Sequence, residues 1–310
     1  MVTFQPRAAV VPKPDDGLVS AVLEGGGQLA DPSTADVIVW TDPHAPEELR
    51  ATLVASPAGW VQLPLAGIES FVSSGVIEPT RVWTSAKGIY GYACAEHALA
   101  LMLTAARGIH VHLLNRRWET APLGSPHRLL KGSTALVVGT GGIGRALVSL
   151  LTNLDVRVLA ANRSGTPASG AEVTVSADGL QQLVPEADFI ILAAALTRDT
   201  RHLFSRQMLA QMRPTAWLIN VARGGLIDTV ALVEALEEGL IGGAGLDVTD
   251  PEPLPEEHPL WSLKNAIITP HVANTLDMSL PEYRALVFRN VRHFARGESL
   301  EGLVDPVLGY

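Results

Sequence analysis

A parallel α/β fold in doubly wound units is predicted by three observations. Short apolar runs of strand type alternate with amphipathic or turn-like segments along the chain. One junction, TALVVGTGGIGRALVSLL from Thr134 to Leu151, reads as strand, glycine turn and helix. At 310 residues the chain is long enough for about two domains, each with its own core.

The elements follow in order. RAAVVP, DVIVW, WVQLPL and RVWTS read as strands, with GLVSAVLEGG, APEELRATLVAS and IESFVSSGV between them. Next comes AEHALALMLTAARGI, Ala95 to Ile109, apolar on most faces and therefore expected to be a buried helix at the break between units. After the glycine turn, strands recur at VRVLAA, ADFIILAAA, AWLINVA, AGLDVT and AIITP, with SRQMLAQM and DTVALVEALEEG as helices. A last helix, from Pro281 to about Arg296, carries apolar Leu286, Val287, Val291 and Phe294, which suit packing back onto the N-terminal unit. The expected domains are 1–95 plus 277–310, and 96–276.

Gly139, Gly141 and Gly144 form G-x-G-x-x-G, with Gly142 and Ile143 inside it. Glycines at these places permit a tight turn and close backbone approach to a pyrophosphate. The helix that follows offers its free N–H groups and positive dipole end. Dinucleotide binding is the expectation. An NAD site places an acid about 20 residues on, bonded to the ribose hydroxyls. Here Asn162, Arg163 and Ser164 stand at that point, and no acidic residue lies between Asp155 and Glu172. A carboxylate would repel a 2′-phosphate, whereas Arg163 and Ser164 can bind one. NADP is therefore favoured, with NAD possible.

NVARGGLID, GLDVTDPEP and IITPHVANT place Arg223, Glu252 and His271 on three loops, 29 and 19 residues apart, each after a strand-like run. A planar cation to grip a carboxylate, an imidazole to move a proton and a carboxylate to favour its charged form make a site for 2-keto acid chemistry.

Composition narrows the partners. The net charge of −9 gives no reason to expect nucleic acid or an anionic membrane surface. A lone cysteine, Cys94, excludes an intramolecular disulfide and fits a reducing compartment, so a cytoplasmic location is expected. No signal peptide or spanning segment is read. His110 and His112 are two apart and share no helical face, His97 reads as a structural histidine on the apolar helix, and no paired ligand spacing points to a metal. Trp118 and Trp261 read as packing residues.

AEHALALML, GTGGIG, INVARGGLID, GLDVTDPEPLPEEHPLW and TPHVANT, in that order, resemble the D-isomer-specific 2-hydroxyacid dehydrogenase family. The resemblance is strong from Ala95 to Thr275 and thin before Ala55. It implies two flavodoxin/Rossmann-like domains with parallel doubly wound sheets and a cleft between them, usually as a homodimer. It implies that Arg223 binds the substrate carboxylate and keto oxygen, that His271 is the acid/base and that Glu252 pairs with it. Asp247 matches the aspartate that holds the nicotinamide carboxamide. Ala66 and Gly67 match the loop whose backbone amides meet substrate. Ala195 and Thr200, and Val221 and Ala222 before Arg223, fall on cofactor loops. Glu69, Ala195 and Asp155 depart from the family's usual residues.

The expected activity is reduction of a small 2-keto acid, of glyoxylate, hydroxypyruvate or pyruvate type, to the D-2-hydroxy acid. The alternatives are a phosphite or formate dehydrogenase of the same fold, and a non-catalytic NADP(H)-sensing protein.

Overall fold

A computed structural model describes residues 4–118 and 127–306. The chain divides into two compact units, Met1–Tyr90 with Thr275–Tyr310, and Gly91–Asn274. The ends of the expected first domain, residues 1–3 and 307–310, lie outside the described residues.

The first unit holds β1 (Arg7–Val11), β2 (Gln28–Leu29), β3 (Val37–Trp40), β4 (Trp60–Gln62) and β5 (Val82–Thr84) in the order β2-β1-β3-β4-β5, every pairing parallel. Side chains alternate across a strand, so one face of this sheet carries Ala9, Ile38, Trp40 and Val61 and the other Ala8, Val37, Val39 and Trp60. Leu49, Leu53 and Phe71 cover the first face; helices Asp16–Glu24 and Leu276–Arg296 cover the second. The final helix is tied down by Arg284, whose Nε and Nη2 donate to Asp15 at 2.9 and 2.8 Å. A buried polar chain joins it to the sheet. The Trp60 indole donates to Thr84 at 2.7 Å, Thr84 donates to Gln62 Oε1 at 2.8 Å, and Asn290 donates to the same oxygen at 3.0 Å. Such groups must be satisfied internally once water is excluded.

The second unit holds β6 (Thr134–Val138), β7 (Arg157–Asn162), β8 (Val173–Ser176), β9 (Phe189–Leu192), β10 (Trp217–Asn220), β11 (Gly243–Leu246) and β12 (Ala266–Ile268). Their order is β12-β11-β10-β9-β6-β7-β8, again all parallel. Both faces are covered, as a doubly wound sheet requires. Ala135, Val137, Phe189 and Ile191 pack with helices Gly91–Ala106 and Gly142–Asn153; Leu136, Val138, Ile190 and Leu192 pack with helix Thr229–Glu237.

Several boundaries differ from the sequence reading. The apolar helix runs Gly91–Ala106, not from Ala95 to Ile109, because Gly108 takes a φ of 61° and starts a separate helix, Ile109–Asn115. The domain limits drawn at 95 and 276 therefore become 90 and 274, outside the helices. The last helix begins at Leu276 with Pro281 inside it. SRQMLAQM shortens to Arg206–Leu209. Strands β2 and β8 were not expected at all. Trp118 is fully exposed and Trp261 half-exposed, so neither is a core residue. Among the described residues no single helix is long and apolar enough to cross a membrane; Gly91–Ala106 and Ile109–Asn115 reach that measure only together, across a 65° bend.

Candidate active site

The strand order of the second sheet reverses between β9 and β6. In parallel sheets ligands bind outside the C-terminal strand ends at such a reversal. The glycine turn leaves β6 there. Gly139 has a φ of 98°, a region that penalises any Cβ, and its N–H donates to the Ala161 carbonyl at 2.7 Å. A Cβ on Gly139 would approach the backbone of Ala193 and Ala194 to 2.7 Å, and one on Gly144 would run into the Gly139 carbonyl oxygen. A Cβ on Gly141 would meet nothing within 4 Å. Gly139 and Gly144 thus serve close packing, and Gly141 borders open space. No side chain caps the helix that starts at Gly142 and Ile143, so its first N–H groups remain for an anion. The pyrophosphate of a dinucleotide fits this cradle.

At the end of β7, Asn162 Nδ2 donates to Thr140 Oγ1 at 3.0 Å and to the Thr166 carbonyl at 2.8 Å. Its Oδ1 accepts from the Ser164 N–H at 3.2 Å. Asn162 braces the turn, while Arg163 and Ser164 are exposed on it. The next acid along the chain, Glu172, bonds Arg157 Nε at 3.0 Å, at the opposite end of β7. After β9, Thr200 Oγ1 donates to the Ala195 carbonyl at 2.7 Å and accepts from the Thr197 N–H at 2.7 Å, closing a compact turn that holds both expected cofactor residues.

Arg223, Glu252 and His271 follow β10, β11 and β12, three adjacent strands. Asn220, fully buried at the end of β10, fixes the first loop. Its Nδ2 donates to the Arg223 carbonyl at 2.9 Å and its Oδ1 accepts from the Ala222 N–H at 3.1 Å, with Val221 between. Arg223 Nη1 donates to the Ala222 carbonyl at 2.8 Å. Gly224 lets this loop touch the next, since a Cβ there would collide with the Thr249 carbonyl. The Glu252 loop is tied in turn: Thr229 Oγ1 donates to the Asp250 carbonyl at 2.7 Å, and Arg201 Nη2 donates to Asp250 Oδ2 at 3.2 Å.

His271 Nδ1 lies 2.5 Å from Glu252 Oε1. A carboxylate accepts only, so Nδ1 carries the proton and Nε2 is the nitrogen open to exchange. His271 has a φ of 54°, rare for a residue with a side chain and found where surrounding contacts over-determine the backbone. Those contacts come from Asp247, 2 % exposed. Its carbonyl accepts from the His271 N–H at 2.8 Å, and its carboxylate accepts from Val272 N, Ala273 N and Thr269 Oγ1 at 2.9, 2.9 and 2.6 Å. His97 Nε2 is 2.9 Å from Thr269 Oγ1.

Cys94 is buried on helix Gly91–Ala106, and burial, reinforced by the Asp247 charge and opposed by Arg223, pushes its thiol up to about 11. It is no nucleophile at neutral pH. Ala66 and Gly67 are half-buried between β4 and helix Glu69–Ser73 in the first unit. Sequence reasoning missed Asn220 and Thr269. The signal for Asn220 was available: a polar residue closing the apolar strand WLIN must find partners when buried. Thr269 carried no such signal.

A family model for the NAD binding domain of D-isomer specific 2-hydroxyacid dehydrogenases matches residues 99–273. The chain belongs to the D-isomer specific 2-hydroxyacid dehydrogenases. It is 37% identical to the Corynebacterium melassecola protein named for the proB 3′ region, over 94% of this chain and 96% of that one. It is 34% identical to the glyoxylate reductase of Pyrococcus furiosus, over 72% of this chain and 68% of the relative. A D-isomer specific 2-hydroxyacid dehydrogenase family protein from Aeromonas salmonicida superposes with a TM-score of 0.82 at 27% identity, covering 97% of this chain and 99% of that one. Family membership makes the protein an oxidoreductase that pairs a nicotinamide cofactor with small hydroxy or keto acids.

Proposed function

We propose that this dehydrogenase reduces a small 2-keto acid of the glyoxylate type to the D-2-hydroxy acid, with NADPH preferred. The observation that carries the reading is the His271–Glu252 contact of 2.5 Å, beside a strand whose loop holds Arg223. When bound, the nicotinamide supplies the hydride. Arg223 grips the carboxylate of the keto acid and steadies the charge that gathers on the keto oxygen. Protonated His271 gives its Nε2 proton to that oxygen, and Glu252 at Nδ1 orients the ring. Ala66 and Gly67 are assigned to the substrate, and Asp247, Ala195, Thr200, Val221 and Ala222 to the cofactor.

The similarity to the Pyrococcus glyoxylate reductase supports the substrate class. The NADPH preference is supported by Arg163 and Ser164 on the braced turn after β7 and by the stretch without acids around them. A panel of 2-keto acids assayed with NADPH and NADH tests both parts. Highest kcat/KM for a small keto acid with NADPH is expected; phosphite oxidation in place of keto-acid turnover, or tight NADPH binding without turnover, overturns the reading.

The assembly proposed is a homodimer. Leu113, Leu114 and Trp118 on and after helix Ile109–Asn115 are 71%, 73% and 100% exposed, large apolar side chains that a second copy would cover. Light scattering should give twice 32.9 kDa; a stable monomer at micromolar concentration refutes it.

A further inference from the structure

We infer that His97 and Thr269 are positioning residues for His271, acting through Asp247; the inference rests on the reading of His271 as proton donor. His271 has a φ of 54°, so its aim depends on contacts that hold an unfavourable backbone in place. The Asp247 carboxylate provides two of them, to Val272 N and Ala273 N, both at 2.9 Å. The orientation of that carboxylate therefore sets the direction of the imidazole.

What sets the carboxylate is a directed pair of hydrogen bonds. Thr269 Oγ1 is 2.6 Å from Asp247 Oδ1 and 2.9 Å from His97 Nε2. The hydroxyl has one proton, and the carboxylate has none, so the hydroxyl donates to Asp247. The His97 contact must then use the imidazole's own proton. The order is His97 Nε2–H to Thr269 Oγ1–H to Asp247 Oδ1, with His97 Nε2 also 3.4 Å from that oxygen. His97 stands on helix Gly91–Ala106, whose Gly91 packs so closely on Gly142 that a Cβ would come within 2.7 Å of the Gly142 carbonyl. The pair thus anchors the His271 loop to a closely packed helix pair, one member of which opens at the glycine turn. Neither residue touches the reacting atoms in this scheme.

The first test needs no turnover. Long-range 1H–15N spectra of the ligand-free protein, recorded on the alkaline side of the imidazole range, should show His97 as the Nε2–H tautomer. An Nδ1–H tautomer reverses the hydrogen bond and overturns the inference. The second test is kinetic. Thr269→Val and His97→Phe should each lower kcat by about 10- to 100-fold through misaim. Thr269→Ser and His97→Gln, which keep a donor at the same place, should restore most of it. Folded variants with unchanged kcat, or a loss not restored by the conservative changes, overturn the inference. His271→Ala runs alongside. If it keeps full activity, the parent reading fails; if it is inactive while Thr269→Val is not, only the positioning role fails.

Discussion

The two halves of the second sheet build their loops by opposite means. In the β6–β7 half, the contour is made by missing side chains: Gly139 and Gly144 have no room for a Cβ, and Gly141 leaves an open helix end. In the β10–β12 half, it is made by buried polar side chains that grip backbone: Asn220 holds the Arg223 loop, and Asp247 holds the His271 loop. A phosphate needs only oriented N–H groups, which bare backbone provides. Proton transfer needs a side chain aimed to a fraction of an ångström, and that demands a supporting frame. The largest effect should therefore follow from removing the aimed group itself. His271→Ala is expected to lower kcat for keto-acid reduction by about 10²–10⁴-fold with NADPH affinity nearly unchanged. Steady-state kinetics beside a nucleotide titration checks this, and a parallel loss of affinity would blur the division between the halves.

That division also explains what was legible in the sequence. The glycine turn is local, so G-x-G-x-x-G in a strand–turn–helix context states its own structure. Arg223 and His271 could be singled out because each follows an apolar strand, whereas Glu252, in a proline-rich loop, stood out only by its place in the full set of motifs. Their supports were not, since Asp247 meets Val272 and Ala273 across 25 and 26 residues and His97 meets Thr269 across 172. Strands β2 and β8 escaped notice because they are edge strands, two and four residues long, with no fully buried residue. The break at Gly108 went unread because a single glycine inside a helical pattern is often tolerated.

On the nucleotide side, the next effect in size concerns the turn after β7. Arg163→Ala should raise KM for NADPH, at a cost of about 1–3 kcal/mol for a lost charged hydrogen bond, and leave NADH nearly unaffected. Kinetics with both cofactors decide it. Equal wild-type efficiency with NADPH and NADH would remove the ground for assigning this turn to the 2′-phosphate.

Glu252→Gln should act more gently, because the paired side chains are 49% and 40% exposed and water screens their charges. A carboxamide in place of the carboxylate can present either its oxygen or its NH2 to Nδ1, so it no longer fixes which ring nitrogen carries the proton. The value of kcat for keto-acid reduction should fall by about 10-fold through loss of aim, with KM for NADPH nearly unchanged. Steady-state kinetics of the two forms checks this. An unchanged kcat would leave Glu252 as a solvated loop carboxylate and strip the β10–β12 half of one of its aimed groups.

The smallest effect is expected beneath the same loops. Cys94 is buried where the charges of both Asp247 and Arg223 reach it, yet its thiol is pushed from 9.0 to about 11, with burial the leading cause. It stays protonated through the neutral range and takes no part in the reaction. Cys94→Ala should leave kcat unchanged there. Stability gives the positive signature. The unfolded chain releases this proton near 9.0, and the folded chain keeps it until about 11. The buried neutral thiol thus contributes stability in full below the lower value, and the contribution is lost as pH rises through the upper one. Urea midpoints measured across that window should fall more steeply for the wild type than for Cys94→Ala. Equal slopes would mean that the thiol ionises as freely as in water. The underside of the loops after β10 and β11 would then be wetter than the buried frame of Asn220 and Asp247 requires.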